Sequence, residues 1–382
     1  VGGIATFALN LSRPLREAGH EVVVIAQRHG EWWPRLAEIG VRGDCLPRRR
    51  WESVQQAARR FAAYLTAQQA DLLLVNIGID NRLPMLALHL LPDALPAALV
   101  LHNDRPEAYD LAARNRGAWN CAVGVSPKVQ QTARARLEPK SIHCIPYGIT
   151  LPTDDQLRAR LDWTTPLRLL FVGRLDDQQK GIFRLPAIMA ACRRQQLPVR
   201  LTVIGDGADR EPLAQRFRAA EVADLVDMGD AQPNAAVLAQ MRAHHLLLLP
   251  SNFEGLGLVL QEAQANGCVP IASELKGVTD TIITDGVNGI LVEPTDTLGF
   301  VAAIRGFLNT GMWQQCSQSS ITHARQHYSI QSMVERYTAL FDALGQGADA
   351  LPVARSTLRK QGATPFTWRD YLPRPVRNRL RV

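Results

Sequence analysis

Short apolar runs alternate with amphipathic stretches along most of this chain, and that alternation limits the fold more than any other feature. In the first half the runs are Glu21–Ala26, Leu72–Asn76, Ala98–His102 and Cys121–Ser126. In the second they are Leu167–Gly173, Arg200–Gly205, Leu246–Ser251, Val269–Ser273 and Ile290–Val292. The stretches between them carry helical spacing: Ile4, Phe7, Ala8, Leu11 and Leu15 recur three and four apart, as one buried helix face requires. Apolar strands separated by helices pack as parallel sheets covered on both faces, so the expected class is α/β. At roughly 100–200 residues per domain, 382 residues fit two such domains, each Rossmann-like.

The prolines and glycine of Pro146-Tyr147-Gly148-Ile149-Thr150-Leu151-Pro152 mark the expected break. The expected organisation is an N-terminal domain over 1–149, a C-terminal domain over 150–330, a closing helix within 331–350 and a tail over 351–382. The start is irregular. Val1-Gly2-Gly3 leads straight into a helix, whereas a doubly wound domain begins with a strand in the middle of its sheet. A first strand is therefore expected to be missing, the chain reads as a fragment or a misplaced start, and the N-terminal sheet is expected to be poorly formed.

Charge separates the tail from the body. Residues 1–150 hold 18 Lys and Arg against 13 Asp and Glu, residues 151–350 hold 17 against 22, and residues 351–382 hold 8 against 1. The body is neutral overall and the net charge of +7 equals that of the tail. A nucleic-acid binder would carry its basic residues on the folded domain, so no nucleic-acid partner is expected. The tail sets Phe366, Trp368 and Tyr371 among basic residues, with Pro365, Pro373 and Pro375 against a continuous helix. It reads either as a flexible or back-packed segment or as a contact with an anionic membrane surface. No apolar stretch approaches the roughly 18 residues of a membrane-spanning helix, and no signal peptide is expected. The six cysteines are scattered without a CxxC pair, which argues against a zinc ribbon or a disulfide framework. The expected setting is cytoplasmic, with peripheral attachment to the inner membrane face as the tail's second reading.

Two segments carry chemistry. In Ser251-Asn252-Phe253-Glu254-Gly255-Leu256-Gly257-Leu258-Val259-Leu260-Gln261-Glu262-Ala263 a strand ends, a loop with two glycines follows, and a helix is expected to start around Gly257. Such a loop brings backbone close to a ligand and presents free N–H groups to an anion, while Glu254 and Glu262 can hold two ends of an extended ligand. In Phe171-Val172-Gly173-Arg174-Leu175-Asp176-Asp177-Gln178-Gln179-Lys180-Gly181 a strand delivers two cations. Arg174 as a fork and Lys180 as a point charge suit a diphosphate without a metal ion, and no DxD clamp occurs. Taken one by one, a turn carboxylate, a solvated helix residue and a surface ion pair are the ordinary readings of these residues.

Arg174 with Lys180, the Glu254 to Glu262 spacing, and Asn288-Gly289 followed by Pro294 resemble the donor-site motifs of retaining glycosyltransferase family 4, whose fold is GT-B. Gly2-Gly3 before the first helix, Gly19-His20-Glu21-Val22 at its end, His102 after a strand, and Ser126 ahead of Pro146-Tyr147-Gly148-Ile149 agree with it. The resemblance covers about residues 1–345. It departs in the absent first strand, in Tyr147-Gly148-Ile149-Thr150 where Asn-Gly-Ile-Asp is commoner, and in the basic tail. It implies two Rossmann-like domains facing across a cleft. It also implies transfer of a sugar from a nucleoside diphosphate sugar, a substrate rather than a cofactor, to a glycan or lipid-linked acceptor, as in polysaccharide or lipopolysaccharide synthesis.

The resemblance further implies roles by position. Arg174 and Lys180 would bind the diphosphate, Glu262 the ribose hydroxyls and Glu254 the transferred sugar. The backbone of Gly255, Leu256, Gly257 and Leu258 would lie along the donor. Gly2 and Gly3 would let the N-terminal domain approach the phosphates, and His102 would sit near the sugar. The catalytic set is thus Glu254, His102, Arg174 and Lys180, with no metal ligand and no added cofactor. Three rivals remain: a dehydrogenase, which needs a dinucleotide fingerprint that Arg210 breaks after Gly205-Asp206-Gly207; an epimerase of the same fold; and an inactive sugar-nucleotide-binding protein. His244-His245, the His323/His327 pair and Arg48-Arg49-Arg50-Trp51 are expected to be structural or solvated.

Overall fold

A computed structural model describes residues 3–30, 32–77, 82–137, 141–160 and 162–347. Gly2 and the tail 351–382 lie outside the described residues. The chain forms two compact units, one from the residues up to Pro146 with those from Met333 on, the other from Tyr147 to Ser332.

In the first unit β1 (Val23–Ala26) and β2 (Arg42–Cys45) pair in parallel. A separate parallel sheet runs in the order β3 (Leu73–Ile77), β4 (Ala97–Leu101), β5 (Cys121–Gly124) and β6 (Ser141–Cys144). All five residues of β4 are buried, which is why that strand reads as an unbroken apolar run. Strand β1 and most of β3 are only half-buried, and among the described residues no ladder joins them. Among the described residues the strands of the first unit thus form two separate sheets rather than one.

Helix Gly3–Glu17 buries Phe7, Leu11 and Leu15 of its periodic face, whereas Ile4 in its first turn is exposed and Ala8 is only partly buried. Leu9 on the same helix packs with Leu36 and Val41, under Trp32 and Trp33, and this small cluster holds the β1–β2 ribbon. Helix Ile330–Gly345 buries Met333, Tyr337, Leu340 and Leu344 at steps of four and three, and the Tyr337 ring lies 5.7 Å from that of Phe7. From Met333 on, this closing helix belongs to the first unit.

The second unit holds one parallel sheet of β7 (Leu167–Val172), β8 (Val199–Ile204), β9 (Val226–Gly229), β10 (Leu246–Leu249), β11 (Val269–Ser273) and β12 (Ile290–Val292). Its spatial order is β9-β8-β7-β10-β11-β12, the Rossmann order, with the strand order reversing between the parallel neighbours β7 and β10. The division falls between Pro146 and Tyr147 rather than after residue 149, for a local reason. Ile149 donates its N–H to the Tyr328 carbonyl at 2.8 Å and bridges Ser329, so the two chain crossings run side by side inside the second unit.

Three strands have no counterpart among the apolar runs: β2, β6 and β9, with sequences RGDC, SIHC and VDMG. Among the described residues each is an edge strand with a single partner, so its composition is not driven toward the apolar pattern of a central strand.

Candidate active site

Where the strand order of a doubly wound sheet reverses, the loops leaving the carboxyl ends of the two neighbouring strands part and leave a crevice. Here those loops follow β7 and β10, the two segments singled out above. The β7 loop ends in a single helical turn, Asp177–Lys180, and the β10 loop carries Ser251 to Gly257. They meet at an ion pair: Lys180 Nζ lies 2.6 Å from Glu254 Oε1. Ser251 Oγ donates to the same oxygen at 2.7 Å. The two charged side chains are 13% and 5% exposed, so this is an inward-facing pair in which removing either partner strands the other. The Lys180 ammonium has three donors and gives one to Glu254, leaving two for a further anion. Arg174 stands exposed on the same loop.

The loop bearing Arg174 rests on the strand beside it. Gly173 donates to the Ile204 carbonyl and Leu175 to that of Asp206, at 3.1 and 3.0 Å. Gly205 approaches so closely that a side-chain carbon there would lie 1.9 Å from the Gly173 carbonyl oxygen. The Gly205-Asp206-Gly207 run therefore works as backing for the cation loop, and not as a dinucleotide fingerprint.

The helix after the β10 loop is Leu258–Ala265, capped by Gly257 in the left-handed region (φ +84°), so it begins one residue after the expected start. Gly255, Leu256 and Gly257 are buried and Leu258 is partly buried. One turn on, Glu262 is 8% exposed and accepts from Asn234 Nδ2 at 2.8 Å. Burial pushes its carboxyl up to about 7, with the Asn234 hydrogen bond opposing the shift. Glu262 is thus a partly protonated acid near neutral pH, ready to become a carboxylate when donors arrive.

The remaining sequence candidates lie in the first unit or hold up the fold. Gly3 is the exposed first residue of its helix, not a residue ahead of it. His102 follows β4, is 7% exposed, and shares a 2.9 Å hydrogen bond between Nε2 and Asn76 Oδ1. Its ring meets the Phe7 edge with centroids 5.2 Å apart, and burial pushes its pKa down to about 3, so the imidazole is neutral. The motif residue Asn288 is structural: its Oδ1 accepts from the Thr284 N–H at 2.7 Å, and its carbonyl accepts from Gln264 and Ser320. His245 accepts from the Arg168 N–H at 2.8 Å inside the core, and His244 bonds Thr202 Oγ1 at 3.0 Å, as expected of structural histidines. Trp51 is 65% exposed with Arg50 over its ring, a solvated loop.

Comparison with known proteins decides what kind of crevice this is. Residues 153–324 match the family described as Glycosyl transferases group 1, and residues 1–151 match Glycosyltransferase Family 4. The chain belongs to the family 4, group 1 glycosyltransferases. Among the family's curated members it is 31% identical to the glycogen synthase of Mycobacterium tuberculosis over 151 residues, 40% of this chain and 36% of that protein. It is 25% identical to the D-inositol 3-phosphate glycosyltransferase of Frankia alni over 363 residues, 82% of this chain and 87% of that one. The matches to the first curated relatives span 36–46% of those proteins' length. The structure of Anabaena HepE in complex with UDP and glucose superimposes with a TM-score of 0.75 at 19% identity, over 90% of this chain and 96% of HepE. That likeness shows the fold, GT-B, made of two Rossmann-like units.

In this member of the family, the two sequence motifs contain Arg174, Lys180, Glu254 and Glu262 but do not reveal the contacts their side chains make. Ser251 gave one weak signal, as the polar end of a strand three residues before Glu254. Asn234 gave none beyond its place after Pro233 at a helix start, since its contact with Glu262 spans 28 residues.

Proposed function

We propose that this glycosyltransferase moves a sugar, with retention and without a metal ion, from a nucleoside diphosphate sugar to a glycan or lipid-linked acceptor. The observation that carries the reading is the inward-facing Lys180–Glu254 pair at the sheet's reversal point, with Arg174 on the same loop and Glu262 on the following helix. As the bond from the anomeric carbon to the phosphate oxygen breaks, charge grows on the leaving diphosphate. Fixed cations and backbone N–H groups stabilise it most in that state. Lys180 and Arg174 supply the cations, and the backbone of Gly255, Leu256, Gly257 and Leu258 lies along the donor. Glu262 accepts from the ribose hydroxyls.

Glu254 holds Lys180 and takes hydroxyl hydrogens of the transferred sugar, and it is not assigned as a nucleophile. The acceptor oxygen attacks from the face that the phosphate leaves, its proton passes to the departing phosphate, and the anomeric configuration is kept. His102, neutral at working pH, serves as a hydrogen-bonding group toward the sugar rather than as a charged acid. Among the described residues no helix is long and apolar enough to cross a membrane. The proposed setting is cytoplasmic, with the basic segment 351–382 as the membrane-facing element if the acceptor is lipid-linked.

The reading is supported by the family and by HepE, a protein of this fold solved with UDP and glucose. Incubating the chain with a panel of UDP, GDP and ADP sugars, with and without EDTA, tests it. Release of nucleotide from one of the three classes, undiminished by EDTA, is expected. Conversion of a donor into its epimer without nucleotide release points to the epimerase, and loss of release in EDTA overturns the metal-free step.

A further inference from the structure

Lys180 occupies a position that should be poorly held. It ends a helix of four residues, Asp177–Lys180, and one helical turn neither sustains itself nor satisfies its last carbonyls. The partner it must face, Glu254, comes from another loop 74 positions away. Something has to fix the one loop against the other. Two residues outside the charged pair do so.

Asn252 covers three successive carbonyls of that turn. Its side-chain Nδ2 donates to the carbonyls of Asp177 and Gln178 at 3.0 and 3.1 Å, and its backbone N–H donates to that of Gln179 at 2.8 Å. Arg184, the first residue of the next helix, locks the arrangement from the other side. Its Nη2 donates to Asn252 Oδ1 at 2.6 Å and its Nη1 to the Pro250 carbonyl at 2.8 Å. With Oδ1 held by the guanidinium, the Asn252 amide must aim its NH₂ at the turn.

Gly181 closes the gap. It sits in the left-handed region (φ +58°), and a side-chain carbon there would lie 2.1 Å from the Pro250 carbonyl oxygen, so the two loops touch backbone to backbone. Arg184 therefore differs in kind from Arg174 and Lys180. Its guanidinium already engages two acceptors on the β10 loop.

We infer that Arg184 and Asn252 are positioning residues, a latch between the β7 and β10 loops that sets Lys180 against Glu254 and so shapes the diphosphate subsite. This rests on the reading of Lys180 and Glu254 given above. Misplacing a binding group by about 1 Å can cost on the order of 100-fold in rate. Loss of the latch thus acts on the donor through Lys180, and not on the donor directly.

A double-mutant cycle on the full chain tests this, using Arg184→Met, Lys180→Met and the combination. Titration with UDP, GDP and ADP, donor turnover and a thermal melt are the readouts. Arg184→Met is expected to weaken binding of the preferred nucleotide and to lower donor turnover by about 10–100-fold. In the Lys180→Met background the same change should add less than about threefold, because coupled residues do not act additively. Arg184→Lys, which reaches one of the two acceptors, should recover part of the loss.

If Arg184→Met does not fold, Asn252→Asp enters the same cycle. It leaves Arg184 an acceptor and removes both side-chain donors to the turn. An Arg184 or Asn252 effect that persists in full without Lys180, or a single variant indistinguishable from the parent, overturns the latch while nucleotide binding by the parent upholds the donor reading. A parent chain that binds none of the three nucleotides overturns both.

Discussion

Glu262 keeps its carboxyl near 7 because burial outweighs the single hydrogen bond from Asn234. A carboxyl raised in the fold contributes stability below its unfolded value near 4.5 and loses it as pH climbs through about 7. Ribose hydroxyls donating to both oxygens require the carboxylate, so nucleotide binding should release a proton and tighten between about pH 6 and 8. Calorimetry in two buffers of different ionisation enthalpy checks this. Glu262→Gln should abolish the proton release, and binding that is flat with pH in the parent would contradict the assignment. His102 runs the other way. Its folded value near 3 lies below the unfolded 6.5, so its contribution is whole above about 6.5 and falls away as pH drops toward 3. His102→Gln should flatten the loss of stability across that window, by up to a few kcal/mol, in urea titrations at stepped pH. An unchanged acid limb would show that the imidazole is protonated inside the fold. Arg174, Lys180, Glu254 and Glu262 stand out in the sequence because their spacing within each motif is local. Their pairing was not, since Lys180 and Glu254 are 74 positions apart and only the crossing of the sheet brings them together.

Helix Leu258–Ala265 carries Glu262 on one side and, on another, Gln261 with no exposure and with neither amide atom hydrogen-bonded. An unsatisfied buried polar group costs about 1–3 kcal/mol, and an apolar residue of like shape removes that cost. Gln261→Met should therefore leave the melting temperature unchanged or raise it by a few degrees, at about 2–4 °C per kcal/mol for a unit of this size. A fall of more than about 5 °C would mean that the amide has a partner, a buried water in the first instance. Elements of this kind set the limit of sequence reading. Central strands such as β4, β10 and β11 were visible because both their faces are buried and their residues are apolar throughout. The edge strands β2, β6 and β9 were invisible, because one neighbour and a partly wet face leave the composition free. Gly205 was visible as a glycine but not as the support of the Arg174 loop, which depends on a backbone approach that no local pattern encodes.

Across the whole molecule, the chain folds as two Rossmann-like units with differently arranged sheets. The second holds a continuous six-stranded sheet whose reversal point gathers the cations and carboxylates. The first holds its strands, among the described residues, in two separate sheets, and helix Gly3–Glu17 reaches both the small cluster beside β1 and β2 and His102, a neutral histidine that follows the fully buried strand β4. The alternation of apolar runs carried the fold class and the number of units. The exact division depended on the Ile149–Ser329 bridge, a contact across 180 positions that spacing cannot reveal. The central claim is that Lys180 and Glu254 act on the departing diphosphate and the sugar it leaves. It is tested most directly by donor consumption in Lys180→Ala and Glu254→Gln beside the parent, each confirmed folded by its melt. Losing one group that stabilises the developing charge typically costs on the order of 10²–10³ in rate, and both variants are predicted to fall in that range. Activity within about threefold of the parent in either variant would contradict the account.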